Sequence, residues 1–197
     1  MNTNTFSVII ILFIVIISYR IYKNSDLFQL KCIVSTIDGE EYCVRERNKI
    51  NLAADRLALV NNNMLSIIKY CKKQYPNKEC VNKMHEGYNP KKIMETLPTS
   101  KYTAYSQNKG EKIAFCLNKT KDNIDNLIDI NTLTFVALHE LAHVATTSVG
   151  HTPEFWANFK FLLIQAEKIN VYTPIDYKKK PKEYCGMTIN NSPYFDQ

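Results

Sequence analysis

The sequence predicts an α+β domain: a small β-sheet packs on one histidine-bearing helix and on a long N-terminal helix, and one transmembrane helix precedes it. Three observations predict this. An unbroken apolar run opens the chain. A long stretch of helical periodicity lies between two β-rich stretches. An apolar helical segment containing HELAH follows the second of them.

The opening run, FSVIIILFIVIISYRIY, covers Phe6 to Tyr22 and holds no charge before Arg20. At about 1.5 Å of rise per residue it just crosses a bilayer core, with its ends snorkelling. It is apolar on every face, whereas a surface helix shows a stripe. A cleaved signal peptide would carry a basic leader and a small-residue cleavage site. MNTNT has no charged side chain, and SYRIYKNSD offers no such site. Residues 1–23 therefore read as an uncleaved anchor, 24–30 as a linker and 31–197 as the domain. Arg20 and Lys23 follow the span, which places the domain on the cytoplasmic side. Cys32, Cys43, Cys71, Cys80, Cys116 and Cys185 pull toward an oxidising compartment. Asn118-Lys119-Thr120 and Asn190-Asn191-Ser192 read as glycosylation sequons.

KCIVSTIDGEEYCVRER reads as a β-hairpin turning at Asp38-Gly39 in a two-residue loop. That register sets Val34 opposite Cys43 and Cys32 diagonal to it, where a disulfide is possible. From Glu46 to Tyr75 apolar residues recur at three- and four-residue spacing, and Pro76 ends the helix. A shorter helix is expected over Glu79–Glu86, and a further turn from Pro90 to Leu97. KYTAYSQNKGEKIAFCL reads as strand, turn and strand, its second arm internal. After a polar loop, INTLTFVALHELAHVATTSVG becomes helical, capped by Asn131 or Thr132 and ended by Gly150. Pro153 opens a last helix to Ile169, and the tail shows no clear period.

With 45% apolar residues and 22% charged ones the domain is an ordinary folded one. The net charge of +6 comes from dispersed lysines, without an Arg-rich arm or a basic stretch interleaved with aromatics. It reads as solvated surface, helped by an anionic membrane face, and nucleic acid is not an expected partner.

The chemistry lies in HELAH. Residues four apart share one helix face, so His139 and His143 can reach one metal ion. Glu140 lies on the neighbouring face, placed to accept a proton without being a ligand. This is the zincin arrangement, with two His ligands and Glu as general base. Zinc is the expected cofactor, because it brings the pKa of bound water toward about 7. A bare HExxH also arises by chance, and two hydrogen-bonded core histidines are the alternative. The apolar helix around the pair argues against that, since unpartnered polar groups there would cost several kcal/mol in total.

A catalytic zinc needs a third protein ligand and an open fourth position. His151 is favoured, brought back over the helix end by Gly150. Glu154, Glu167 and, more remotely, Cys185 are the alternatives. Tyr184, Tyr177 and Tyr172 can all serve as oxyanion donors. The strand Lys112–Leu117 is expected to be the edge strand that pairs with a substrate backbone. No other substrate-binding residue is legible.

HELAH followed by GHTPEFW resembles the WLM and SprT-like zinc metallopeptidases. More closely, DINTLTFVALHELAH, GHTPEFW and EYCGMTI resemble a small metallopeptidase-like family of large nucleocytoplasmic DNA viruses. CIVSTIDGEEYCVRER and LPTSKYTAYSQNKGEKIAFCL resemble it too, so the likeness covers most of residues 31–195. It implies zinc on His139, His143 and His151, with Glu140 as base. It also implies a host membrane or virion envelope as the site, and a viral thiol oxidase that reconciles cysteines with a cytoplasmic domain. The expected function is a membrane-anchored zinc metallopeptidase acting on protein or peptide. The alternative is a non-catalytic membrane or virion protein with a fold-stabilising zinc. Repair of DNA–protein crosslinks rests on the SprT-like likeness alone.

Overall fold

The computed structural model describes residues 3–24, 30–120 and 125–196. Most of the expected linker, residues 25–29, lies outside them, as do residues 121–124 of the polar loop. The elements run α1 (Thr3–Asn24), β1 (Lys31–Val34), β2 (Glu41–Val44), α2 (Ile50–Gln74), α3 (Glu79–Gly87), β3 (Ile93–Glu95), β4 (Ala104–Gln107), β5 (Lys112–Phe115), α4 (Ile130–Ala145), α5 (Pro153–Lys168), β6 (Lys182–Tyr184) and β7 (Met187–Ile189). The chain is thus mixed α and β. Helix α1 has a mean hydropathy of 2.2 over Thr5–Tyr22, with none of that window buried. It is long and apolar enough to cross a membrane; a signal sequence has the same character.

The main sheet has the order β1-β2-β3-β5-β4. The pairs β2–β3 and β3–β5 are parallel, and β1–β2 and β4–β5 are antiparallel. The first hairpin differs from its expected register. Its connection is longer than two residues: the Ser35 N–H donates to Glu40 O and the Gly39 N–H to Ser35 O. Gly39, at φ 76°, takes the left-handed position that this loop requires. The pairing shifts by two residues, so Val34 faces Glu41 and Cys32 faces Cys43 directly. The two cysteines are disulfide-bonded. A shift of two keeps every side chain on its expected face.

No helical turn follows Pro90. Residues 93–95 form β3 in the middle of the sheet. Three residues give no readable alternation, and the buried Glu95 hides the strand further. Its carboxylate accepts the Arg45 N–H at 2.7 Å and a hydrogen bond from the Arg47 guanidinium. Burial pushes the Glu95 carboxyl up, against the pull of Arg47 and Arg45. Arg47 also donates to Asn118 Oδ1 at 2.8 Å. Asn118 is fully buried, so its sequon is not a carbohydrate acceptor in the folded chain.

Strand β4, not β5, is the edge. The expected edge strand, Lys112–Leu117, lies inside the sheet because both its sides are taken, by β3 and β4. Twelve of the sixteen residues of α4 are buried, which makes it the central helix of the core. It packs against α2, α3, α5 and β4. Its cap is Asp129, whose side chain accepts the Thr132 N–H, rather than Asn131 or Thr132. It ends at Ala145, before Gly150, and a loop spans residues 146–152. Pro153 then opens α5 behind the cap Thr152, as expected.

The tail contains a hairpin, β6–β7, that sequence periodicity missed. A second disulfide, Cys116–Cys185, ties it to the end of β5. Cys71 and Cys80 are buried free thiols on neighbouring helices.

Candidate metal centre

Helix α4 presents His139 and His143 one turn apart, and the 146–152 loop brings His151 back to them. One ligand nitrogen from each ring can be chosen so that all three lie within 4.8 Å of one another. His139 Nε2 and His151 Nε2 are 3.0 Å apart. Two imidazoles at a tetrahedral zinc, each about 2.0–2.1 Å from it, have nitrogens about 3.3 Å apart. Three imidazole nitrogens this close together could hold a single metal ion such as zinc.

The rings are held by aromatics from α5. Phe155 stacks on His143 at a centroid distance of 4.3 Å, and lies 4.9 Å from His139 and 4.7 Å from His151. Phe159 meets His139 edge-on at 5.3 Å, and Trp156 lies 5.6 Å from His151. This platform holds the imidazoles in place by shape. Only the motif GHTPEFW signalled it in the sequence.

Burial pushes His139 down to about 3, with His143 and His151 adding to the effect. Burial also pushes His143 down to about 4, with His151 and Lys109 adding. Both rings are therefore neutral near pH 7 and offer lone pairs. Burial pushes Glu140 up to about 8, against a Ser106 backbone N–H that pulls it down. A carboxyl poised near neutrality can both take a proton and return it.

The alternative third ligands are engaged elsewhere. Glu154 accepts the N–H groups of Thr147 and Ser148 at 3.0 and 3.3 Å, and the Ser148 hydroxyl at 2.8 Å. Those donors hold it down to about 2. Glu167 accepts the Tyr194 hydroxyl, and Cys185 is in a disulfide. Of the three tyrosines, only Tyr184 lines the pocket beside His139 and Glu140. Its hydroxyl donates to Thr103 O at 3.2 Å. Burial, then the Glu140 charge, pushes its phenol up, so it is a proton-bearing donor. Tyr172 and Tyr177 pack against Phe135 instead.

The pocket holds about 390 Å³. Its walls are α4 and α5, the start of β4 and the β6–β7 hairpin with the residues just after it.

No protein-family model and no solved structure matches the chain. Three viral proteins do. An uncharacterized protein, R325, of Acanthamoeba polyphaga mimivirus is 31% identical over 162 residues, covering 80% of this chain and 81% of its own. Uncharacterized protein 136R of Invertebrate iridescent virus 6 is 39% identical over 75 residues, covering 38% of this chain and 41% of its own. Uncharacterized protein 042R of Invertebrate iridescent virus 3 is 44% identical over 61 residues, covering 30% and 36%. At that identity and coverage, the chain belongs to the viral protein family that contains the mimivirus protein.

Proposed function

We propose that this chain is a membrane-anchored zinc metallopeptidase of zincin type, akin to the WLM and SprT-like peptidases. The observation that carries the reading is the convergence of His139, His143 and His151 beside Glu140 at an open pocket. A structural zinc site usually closes with four protein ligands. Among the described residues only these three histidines converge.

His139, His143 and His151 would hold the zinc, which supplies a Lewis acid that eases the ionisation of water near neutral pH. Glu140 accepts one proton of the attacking water and passes it to the departing amine nitrogen. The water oxygen ends on the acyl carbon as the C–N bond breaks, giving a carboxylate and an amine. Tyr184 is the one tyrosine that lines the same pocket, and its phenol would serve the developing oxyanion. Beyond the Ser106 N–H, which Glu140 holds, the edge strand β4 can pair with an extended peptide through its remaining outward backbone groups. Helix α1 is the anchor in this reading, in a viral or host membrane.

A second reading has a specific observation behind it. Two disulfides suit a protein that persists in an oxidising setting, such as a non-catalytic virion component with a stabilising zinc.

The test is zinc per molecule in the full chain in detergent, with hydrolysis of a casein mixture as readout. One zinc is expected, held much more weakly in His151→Ala. Glu140→Gln should keep the zinc and lose cleavage. Zinc bound equally by wild type and Glu140→Gln, with no cleavage by either, favours the virion reading. Absence of zinc from all three sinks both.

A further inference from the structure

The pocket beside Glu140 has an unusual wall. Trp156 and Met187 are 41% and 48% exposed, although both are large and apolar, and both face it. Phe135, Val136, Phe159 and Ile189, with the small Ala104, form the rest of its apolar lining. Apart from Glu140 itself and the histidines, no titratable group but the buried Tyr184 lines it. The polar groups at its mouth, Thr188, Asn190 and Asn191, are uncharged.

We infer that this pocket is the specificity subsite, and that it takes one large apolar side chain of an extended peptide. The inference rests on the peptidase reading for the peptide, and on the wall for the side chain. A peptide added along β4 sends alternate side chains to opposite faces of the sheet. Those on the α4 side meet the pocket where Thr103 and Ala104 line it. A volume of about 390 Å³ admits a phenylalanine or leucine side chain with room to spare. A lysine or aspartate side chain would lose hydration against that apolar wall, where Glu140, the group the reaction itself uses, is the one carboxyl. The chain thus selects unfolded or extended apolar segments rather than charged ones.

Met187 is the residue that sets the selection. It sits at the start of β7, its sulfur 3.5 Å from Thr103 Oγ1, and closes the pocket against β4. The Cys116–Cys185 disulfide fixes the hairpin two residues before it.

Trp156 is the only tryptophan in the chain, so its emission reports this pocket directly. The experiment titrates the zinc-supplied full chain in detergent with four acetylated heptapeptide amides. They share Ala and Ser flanks and differ only in a central Phe, Leu, Lys or Asp. The Phe and Leu peptides should shift Trp156 emission and bind at least about tenfold more tightly than the Lys and Asp peptides. Met187→Glu, at a half-exposed position, should weaken the Phe peptide about tenfold and strengthen the Lys peptide. Apolar selection in binding without any cleavage supports the subsite while sinking the peptidase reading. Equal cleavage of all four peptides with Trp156 unmoved overturns the subsite and leaves the peptidase reading standing. No binding of any peptide overturns the inference outright.

Discussion

The Lys109 ammonium lies 2.7 Å from the Thr146 carbonyl oxygen and also donates to Ser148 O at 3.0 Å and His143 O at 3.3 Å. These carbonyls belong to the last turn of α4 and to the loop after it, where no intrahelical donor remains. From the other edge, the Glu154 carboxylate takes the Thr147 and Ser148 N–H groups. The 146–152 loop is thus pinned on both its acceptor and donor sides, and His151 is delivered to the other two imidazoles already placed.

Loss of that clamp should therefore weaken the metal. Lys109→Met is expected to lower zinc affinity on the order of tenfold, the usual effect of removing an outer partner. Competition with a chelator reads this, and circular dichroism checks the helices. Affinity equal to wild type would remove Lys109 from the site.

The buried Glu95 holds two arginines, Arg45 and Arg47, that are themselves buried. Glu95→Ala should cost roughly 3–5 kcal/mol, because it leaves buried cations without a counter-charge. Urea unfolding of the mutant measures it. A cost below about 1 kcal/mol would mean that water reaches the guanidinium groups.

Four of the six cysteines are bonded, so two thiols should react after denaturation without reductant. In the folded chain they should be slow, since burial pushes Cys71 up to about 12 and Cys80 up as well. Replacing Cys116 and Cys185 together by Ser should cost about 2–4 kcal/mol. It should also broaden Trp156 emission as the hairpin wall loosens. Alkylation counts of more than two would contradict the pairing.

Asp55 joins α2 to the first hairpin. It accepts the Ser35 hydroxyl at 2.6 Å and the Thr36 N–H at 2.9 Å. The Ser35 hydroxyl, then the Thr36 donors, hold its carboxyl below the usual range. A depressed carboxyl stabilises the fold above its unfolded pKa, and that gain is lost as pH falls through the folded value. Asp55→Ala should cost about 1 kcal/mol at pH 7, a modest figure because the site is largely solvated. The difference from wild type should begin to shrink as pH falls below the ordinary Asp value of about 3.9. A gap that does not change with pH across the acid limb would assign the effect to packing.

Long periodic segments were legible in the sequence. The apolar helix α1 and helices α2, α3 and α5 fall within a few residues of where the sequence places them. The candidate site was legible too, because its three histidines and its glutamate lie within one thirteen-residue stretch. What stayed hidden depends on partners far along the chain. β3 is three residues long and is a strand only because β2 and β5 flank it. The β6–β7 hairpin needs the bridge from Cys185 to Cys116, 69 residues away. The edge position passed from β5 to β4 because sheet order is not a local property. Gly150 misplaced the end of α4, since Lys109 captures those carbonyls earlier and no glycine is needed.

Gly87 at the end of α3 and Gly110 beside Lys109 press backbone against backbone. A Cβ at Gly87 would lie 2.5 Å from Lys109 O, and one at Gly110 would lie 2.6 Å from Gly87 O. Such a contact has no side chain to deform, so it acts as a mechanical stop. The turn that carries Lys109 cannot recoil when the loop pulls on its ammonium. Stiffness at the histidines is thus borrowed from α3, a helix that contributes none of them.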